Sequence, residues 1–324
     1  MKFLYVLTSN EKDIYLEQTY ISIVSLRIYM PNAFVSLLLD TRTNENLIND
    51  RAKIRELVNE IVVKQAPENL TNMQINRFLK TSMREHIKGD FLYVDGDTIF
   101  CGQLEEISKL PHDVMLALDF HSEFDSEIYL RKMPKNSYGF IKKNFRNIPK
   151  RSKFFNGGVI WCRDTEAGHH FFAKWHENWK KTCESGIFTD QTALTLTNFE
   201  LNAIQELDGK YNCQIWFGVN YLHSAKILHY FAASDSKYEP FSTELPFRLK
   251  NNWAISDSDM ECIKKPRCFY KAPNRIITEN DYKVFHSELG CALRLLVKKK
   301  RLFDLLNLPF KLFKRVALGI MENV

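Results

Sequence analysis

Short apolar runs alternate with segments of helical periodicity over residues 1–245, and this alternation restricts the fold more than any other feature of the chain. Apolar runs with the length and composition of buried strands occur at residues 2–7, 33–39, 60–64, 91–94, 114–118, 159–162 and 227–230. Residues 18–29, 51–59 and 75–88, which lie between the first four runs, have the character of helices. Strands separated by helices predict an α/β fold whose sheet is mostly parallel and carries helices on both faces.

The composition supports a globular intracellular protein. Hydrophobic residues make up 45% of the 324 residues and charged ones 26%, which excludes a disordered chain. Only 12 of the 324 residues are glycine, about half the usual share of roughly 7%. This low share argues against folds built on repeated glycine-rich phosphate loops. The seven cysteines contain no Cys-x-x-Cys pair, and no apolar run approaches the ~20 residues of a membrane span. We therefore expect reduced thiols and an enzyme or binding protein without a signal peptide.

Two aspartates separated by one glycine, Asp95-Gly96-Asp97, directly follow the apolar run 91–94. In open α/β sheets, ligands bind at the carboxyl ends of the strands. Two carboxylates on one turn suit Mg²⁺ or Mn²⁺ bound to a diphosphate, and Gly96 would allow the ligand to approach closely. The alternative is a polar turn that caps the strand. The apolar residues on both sides favour the metal site.

This segment resembles the metal motif of the GT-A glycosyltransferases. Four further segments are similar, in the same order, to motifs of the retaining glycosyltransferase family eight and its bacterial relatives: residues 21–31, 154–159 (Phe-Phe-Asn-Gly-Gly-Val), 189–191 (Thr-Asp-Gln) and 229–231 (His-Tyr-Phe). The resemblance covers roughly residues 1–245. It implies a GT-A fold, a nucleotide-diphosphate sugar as donor and a divalent metal ion.

The resemblance also implies the metal ligands. In this family the late histidine, here His229, is the third ligand beside the two aspartates, here Asp95 and Asp97. An imidazole with two carboxylates favours Mn²⁺ over Mg²⁺. Lys237 retains the phosphate-binding charge that the family carries after this histidine, although its loop is longer here and lacks the family's glycine.

The donor sugar and the reaction are expected at a second group of residues. The resemblance implies that Asp119, Asn156 with Gly157, and Asp190 contact hydroxyls of the sugar, and that Gln191 lies beneath the anomeric carbon. Because an amide is not a strong nucleophile, a retaining reaction would be a front-face displacement in which the leaving diphosphate accepts the acceptor's proton. Asp190 is the alternative, as a covalent nucleophile or, if the enzyme inverts, as a base.

Three cations share one face of the helix predicted over residues 75–88, namely Arg77, Lys80 and Arg84. The N-terminal end of this helix should lie nearest the aspartates. Arg77 and Lys80 are therefore expected to contact phosphate or nucleotide, with Arg84, roughly 10 Å further back, as the third candidate. A solvated basic face is the alternative.

The loop after the first strand contains Thr8, Ser9 and Asn10, with Tyr15 a few residues later. The resemblance implies that this loop holds the nucleotide base, expected to be uracil, with Tyr15 stacked on it. The early acidic pair of the family is replaced here by Ser9-Asn10.

Two segments are strongly basic. Residues 129–153 contain nine Lys and Arg and no Asp or Glu, which indicates either a solvated loop or a lid that recognises an anionic acceptor. Residues 264–324 contain 14 Lys and Arg against 5 Asp and Glu, whereas the other 263 residues contain 31 against 34. Runs at 298–303 and 310–315 alternate cations with Leu and Phe, so this tail is either a helix packed on the main domain or a segment on anionic lipid, where each cation adds ~1 kcal/mol. We favour the membrane surface and expect no nucleic acid partner.

The sequence thus predicts a catalytic GT-A domain over residues 1–245 and a C-terminal extension over 246–324 with a basic helical, membrane-associating segment. The expected enzyme is a metal-dependent, retaining glycosyltransferase that moves a hexose from a UDP-sugar to a glycan or glycolipid of lipopolysaccharide or capsule synthesis, in the cytoplasm at the inner face of the membrane. One alternative is an inactive sugar-nucleotide-binding protein. The other is a haloacid-dehalogenase-type phosphatase, although its Asp-x-Asp-x-Thr motif would require Thr where the chain has Ile99.

Overall fold

The computed structural model describes residues 1–266 apart from 105, 216–220, 223, 231–240 and 242–243, together with residues 287, 289–290, 292, 305–306 and 308–309. Lys237 and the basic runs at 298–303 and 310–315 lie outside the described residues. The chain divides into two compact units, Met1–Tyr270 and Lys271–Val324. The helices over residues 245–264 pack on the first helix within the first unit, and the domain boundary after residue 245 stays a prediction.

Twelve strands are present in the described part of the chain. They are β1 (Lys2–Leu7), β2 (Phe34–Asp40), β3 (Glu60–Lys64), β4 (Phe91–Val94), β5 (Thr98–Phe100), β6 (Val114–Leu118), β7 (Phe124–Asp125), β8 (Arg151–Ser152), β9 (Phe155–Cys162), β10 (Gln205–Glu206), β11 (Cys213–Gln214) and β12 (Ile227–His229). Seven of them form the central sheet in the order β10-β6-β9-β4-β1-β2-β3. All neighbours in it are parallel except β9, which is antiparallel to β4 and β6. The mostly parallel α/β sheet is therefore confirmed.

The helices cover both faces of this sheet. They are α1 (Tyr15–Tyr29), α2 (Thr41–Glu45), α3 (Ile54–Leu57), α4 (Asn72–His86), α5 (Ser126–Lys132), α6 (Lys135–Asn144), α7 (Glu166–Glu184), α8 (Asp190–Leu201), α9 (Leu245–Asn252) and α10 (Asp257–Lys264). Side chains alternate across β1, so that Phe3 and Tyr5 pack in the core on the α1 side. Leu4 and Val6 pack on the opposite face, in the core formed with α4, α7 and α8. None of the described helices has the length and apolar character needed to cross a lipid bilayer.

Helix α4 begins three residues earlier than its apolar spacing predicts. Thr71 is its N-cap and forms a capping box with Gln74, which satisfies backbone donors that the first turn would otherwise leave unpaired. The helix ends at His86, shortly before Gly89, whose φ of 80° is in the left-handed region. The stretch 51–59 is helical only in part: a 3₁₀ turn over Asn49–Lys53 leads into the short α3.

Two strand pairings bring the predicted site residues together. Asp95, at the end of β4, donates its backbone N–H to the carbonyl of Gly158 in β9 at 2.8 Å. In the small sheet β11-β12-β5, His229 of β12 is in register with Thr98 of β5, which immediately follows Asp97. The imidazole therefore lies beside the two aspartates although it follows them by more than 130 residues.

Candidate active site

A cavity of about 360 Å³ opens at the edge of the sheet where β4 ends. It brings together ten residues that the sequence predicts: Arg77, Lys80, Asp95, Asp97, Asp119, Asn156, Gly157, Asp190, Gln191 and His229. Phe120, Tyr129, Met133 and Pro134 close one side of it. The cavity is thus lined by carboxylates, amides and cations around a small apolar wall.

Asp95, Asp97 and His229 form a cluster of three possible metal ligands. One donor atom from each lies within 4.8 Å of the others. The imidazole Nε2 is 3.3 Å from a carboxylate oxygen of Asp97 and 3.9 Å from one of Asp95. Burial opposes the charged imidazolium, but Asp97 and Asp95 outweigh that effect and raise the pKa of His229.

The hydrogen bonds around His229 fix which ring nitrogen carries the proton. The backbone N–H of Gly158 donates to Oδ1 of Asn156 at 2.9 Å, so this atom is the amide oxygen. Nδ2 of Asn212 donates to the same oxygen at 3.0 Å, and Oδ1 of Asn212 therefore faces Nδ1 of His229 at 2.9 Å. In the neutral ring Nδ1 therefore carries the hydrogen, and the lone pair of Nε2 is directed at the carboxylates. Two carboxylates and this lone pair are a donor set that fits Mn²⁺ or Mg²⁺.

Two glycines near these ligands leave room for neighbouring protein side chains, because a Cβ at either position would clash with them. A Cβ on Gly158 would lie 2.1 Å from the imidazole carbon of His229, so any side chain there would displace the ring. A Cβ on Gly96 would lie 2.4 Å from the hydroxyl of Thr19 in α1. Gly96 therefore makes room for α1, and its close approach to a ligand stays a prediction.

Lys80 and Arg77 hold the carboxylates on the α4 side of the cavity. Nζ of Lys80 is 3.1 Å from oxygens of both Asp95 and Asp190, and its side chain is 3% exposed. Nε of Arg77 is 3.0 Å from the other oxygen of Asp190. Burial would raise the pKa of Asp190, but Arg77 and Lys80 outweigh it and hold that pKa below its usual value. Asp190 is therefore an anion with a cation on each oxygen.

A chain of hydrogen bonds continues from Asn156 to Gln191. Nδ2 of Asn156 donates to one oxygen of Asp119 at 3.1 Å, and the hydroxyl of Tyr129 donates to the other at 2.6 Å. Nε2 of Gln191 donates to the hydroxyl of Tyr129 at 3.2 Å and to the carbonyl of Phe155 at 2.9 Å. Burial raises the pKa of Asp119 despite these donors. Both amide hydrogens of Gln191 are thus used within the protein, which leaves its Oε1 to face a ligand.

The predicted base-binding loop lies outside this cavity. Ser9 donates its hydroxyl to Asp13 at 2.6 Å, and the backbone N–H of Asn10 donates to the same carboxylate at 2.9 Å. Tyr15 is 55% exposed at the start of α1. The hydroxyl of Thr8 is buried and has no hydrogen-bond partner within the described residues. The loop is held by hydrogen bonds within itself and to neighbouring elements, and its role toward a base stays a prediction.

Arg84 does not join the other cations of α4. Its guanidinium donates to the carbonyls of Ile87 and Gly89, the latter at 3.0 Å, and lies 3.5 Å from a carboxylate oxygen of Asp164. The side chain is 1% exposed and closes the C-terminal end of the helix. Its predicted phosphate contact is therefore not possible in this arrangement, because every face of the group is covered by protein.

Sequence reasoning missed three residues of the site. Asn212 and Tyr129 are joined to His229 and Gln191 across 17 and 62 residues, and no local pattern marks either of them. Tyr93 donates its hydroxyl to Asp95. The last contact had a signal in the sequence, since residues two apart in a strand project to the same face.

Neither a family model nor a curated protein sequence matches the chain. Solved structures do match. The galactosyltransferase LgtC, in complex with donor and acceptor sugar analogs, aligns with 81% of this chain and 99% of its own at 13% identity and a TM-score of 0.51. An active-site mutant of LgtC gives 12% identity, 82% and 100% coverage and a TM-score of 0.52. The chain has the GT-A fold.

Mouse xyloside xylosyltransferase 1 is also similar, with 14% identity over 70% of this chain and 96% of its own, and a TM-score of 0.46. The GT-A fold agrees with the motif order in the sequence, where Asp95-Gly96-Asp97 follows β4 after three earlier strands. A haloacid-dehalogenase-type phosphatase would carry its aspartates on the first strand, so that alternative does not fit.

Proposed function

We propose that this protein is a metal-dependent glycosyltransferase that transfers a hexose from a UDP-sugar to a glycan acceptor with retention of configuration. The observation that carries the proposal is the convergence of Asp95, Asp97 and His229 within 4.8 Å at the edge of a cavity lined by Asp119, Asp190 and Gln191. The metal cluster would bind the diphosphate of the donor, and the residues lining the cavity would contact its sugar. The GT-A fold supports the proposal.

Asp95, Asp97 and Nε2 of His229 would hold the metal ion. When bound, a divalent cation supplies charge neutralisation for the leaving diphosphate. Tyr93 and Lys80 hold Asp95 in place through a hydrogen bond and an ion pair, so the carboxylate needs little reorganisation.

Asp119 and Asn156 would bind and orient the hydroxyls of the donor sugar. They are buried and already hydrogen-bonded to each other, so the remaining lone pairs of Asp119 and the second amide hydrogen of Asn156 have fixed directions. Gln191 would place its Oε1 beneath the anomeric carbon, where an amide dipole stabilises developing positive charge without forming a stable covalent bond.

Asp190 is a poor nucleophile in this arrangement, because Arg77 and Lys80 each pair with one of its oxygens. This favours the front-face displacement over a covalent intermediate. In that step the acceptor oxygen bonds to the anomeric carbon as the bond to the diphosphate breaks. The acceptor's proton passes to the departing phosphate oxygen.

The cellular setting belongs to the same proposal. A glycan or glycolipid of lipopolysaccharide or capsule synthesis would be the acceptor, on the cytoplasmic face of the membrane. The basic tail, with 14 Lys and Arg against 5 Asp and Glu over residues 264–324, would bind the anionic lipid surface there.

Thermal unfolding with UDP, GDP or CMP, each with and without Mn²⁺, tests the site. A ligand at ~100 times its Kd adds about 2.7 kcal/mol of stability, which is a shift of a few degrees. We expect stabilisation by UDP only with Mn²⁺. Asp97→Asn should abolish this shift, while Asp50→Asn, at an aspartate whose side chain is 59% exposed, should retain it.

The absence of a shift with every nucleotide would contradict the proposal. If UDP binds, UDP-glucose and UDP-galactose should be turned over slowly with water or a sugar acceptor, and NMR of the first product should show the anomeric configuration of the donor. Binding without turnover of any UDP-sugar would instead identify a sugar-nucleotide-binding protein.

A further inference from the structure

A second cavity, of about 390 Å³, lies in the basic segment, beside the start of α5. Ser126, at the beginning of α5, lines one side of it. Lys142 near the end of α6 lines another, with Arg146 and Lys150 from the stretch that leads to β8. The backbone N–H of Ser126 donates to the carbonyl of Lys150 at 2.9 Å, so these two residues are fixed neighbours. We refer to this space as the basic cavity.

The two acidic side chains at the basic cavity are already engaged. The carboxylate of Asp125 accepts the backbone N–H groups of Glu127 and Ile128 and caps α5. The carboxylate of Glu127 is 3.0 Å from both Arg131 and Lys142. The charge of Glu127 is thereby offset by two cations, whereas the carboxylate of Asp125 keeps its charge but is directed at backbone donors of α5 and forms no ion pair with the other cations in the part of the chain that the structure describes.

Arg146 and Lys150 are the cations that remain. Both are exposed, and neither has an ion-pair partner in the part of the chain that the structure describes. Ser126, whose backbone is bonded to Lys150, is 2% exposed, so its hydroxyl is enclosed by protein and the two cations are the groups that face the space.

A guanidinium and an ammonium beside one space match the oxygens of a phosphate group. The guanidinium can donate two parallel hydrogen bonds to it, and the ammonium adds a point charge. A carbohydrate without charge would leave both cations unpaired.

We propose that the basic cavity binds a phosphate group on the acceptor, an inference that rests on the proposed glycosyltransferase function. Helix α5 connects the two cavities, because Ser126 lies at the basic cavity while Tyr129 and Met133 line the candidate active site. Seven residues of helix advance roughly 10 Å. The phosphate therefore lies away from the reacting hydroxyl, on a neighbouring part of the same acceptor. The acceptor class is a phosphorylated glycan.

The test is direct binding of glucose 6-phosphate by calorimetric titration, with glucose as the uncharged reference. EDTA is included so that the phosphate is not held by a metal ion at the active site. Arg146→Gln/Lys150→Gln should weaken binding by about tenfold or more, since it removes two charge-assisted contacts.

The matched control is Lys135→Gln/Lys143→Gln, which removes the same charge from exposed positions of α6 that do not line the basic cavity. Binding should change less than about twofold there. Equal weakening in both double variants, or equal affinity for glucose and glucose 6-phosphate, would overturn the proposal. So would a complete lack of glucose 6-phosphate binding.

A lipid headgroup offers the same phosphate chemistry, and vesicles separate the two sources. Binding of the protein to phosphatidylglycerol vesicles that is lost in Arg146→Gln/Lys150→Gln, with no binding of glucose 6-phosphate, would overturn the assignment to a glycan. The UDP and Mn²⁺ shift is measured on the same samples. If that shift is absent while glucose 6-phosphate binds at the basic cavity, the proposed function fails and the phosphate site stands as a separate finding.

Discussion

The two ends of α4 carry arginines on one helical face, yet the two guanidinium groups serve different purposes. Arg77, in the second turn, has a side chain that is 32% exposed and pairs with Asp190 in the candidate active site. Arg84, two turns later, is 1% exposed and bonds to the carbonyls of Ile87 and Gly89. The face of a helix is therefore not enough to assign a cation to a ligand. The distance of the cation from the edge of the sheet determines whether it can reach a ligand.

The helix itself accounts for part of the contrast. A cation at the C-terminal end complements the negative end of the helix dipole, and Arg84 also donates to the carbonyls of Ile87 and Gly89, which follow the last helical residue. Arg84 also lies over the ring of Phe91, with 4.6 Å between its central carbon and the ring centroid. Cations nearer the N-terminus oppose the dipole and are held by carboxylates instead, as Arg77 is by Asp190.

The largest effect is expected at Arg77, near the end of α4 that lies at the candidate active site. Arg77→Met should reduce turnover of the UDP-sugar about 10²–10³-fold, because it removes a fixed charge beside the donor and leaves Asp190 with Lys80 alone. The unfolding temperature should change by only a few degrees. The measurement is steady-state turnover beside a thermal melt. A large loss of stability with normal turnover in the folded fraction would erase the distinction between the two ends.

The second-largest effect is expected at Arg84, near the C-terminal end of α4. Arg84→Met should lower the free energy of unfolding by about 3 kcal/mol, since the buried carbonyl of Ile87 loses its donor and Asp164 and Gly89 lose their contacts with the guanidinium. Chemical denaturation measures this loss. The stabilisation by UDP and Mn²⁺ should persist in the variant, and its disappearance from a protein that is still folded would show that Arg84 also serves the site.

The smallest effect is expected at Lys80, which lies between the two arginines in α4. Lys80→Met should strengthen Mn²⁺ binding by about tenfold, because Nζ lies 3.1 Å from an oxygen of Asp95 and repels a cation there. The same change should lower the unfolding temperature in EDTA and less so with Mn²⁺. Calorimetric titration with Mn²⁺ tests the sign. Weaker binding would mean that Lys80 supports the metal site mainly by positioning Asp95.

The sequence predicted the functional residues that directly follow a strand. It did not predict those whose place depends on tertiary contacts. An apolar run followed by Asp95-Gly96-Asp97 predicted both a buried strand and a polar edge, and the GT-A fold confirms the arrangement of strands. The depth of Lys80 and Arg84 depends on how α4 lies on the sheet, which periodicity does not encode. The antiparallel direction of β9 and the place of Asn212 likewise follow from pairings distant in sequence.

One backbone group sets the direction of the hydrogen bonds that reach His229. The N–H of Gly158 orients the amide of Asn156, this orients the amide of Asn212, and Asn212 in turn keeps the hydrogen on Nδ1. Reversing either amide would move that hydrogen to Nε2 and present a donor to the space between Asp95 and Asp97. The chain of amides thus selects one tautomer of the neutral ring, and the capacity of this edge to accept a cation depends on a backbone N–H that is not itself a metal ligand.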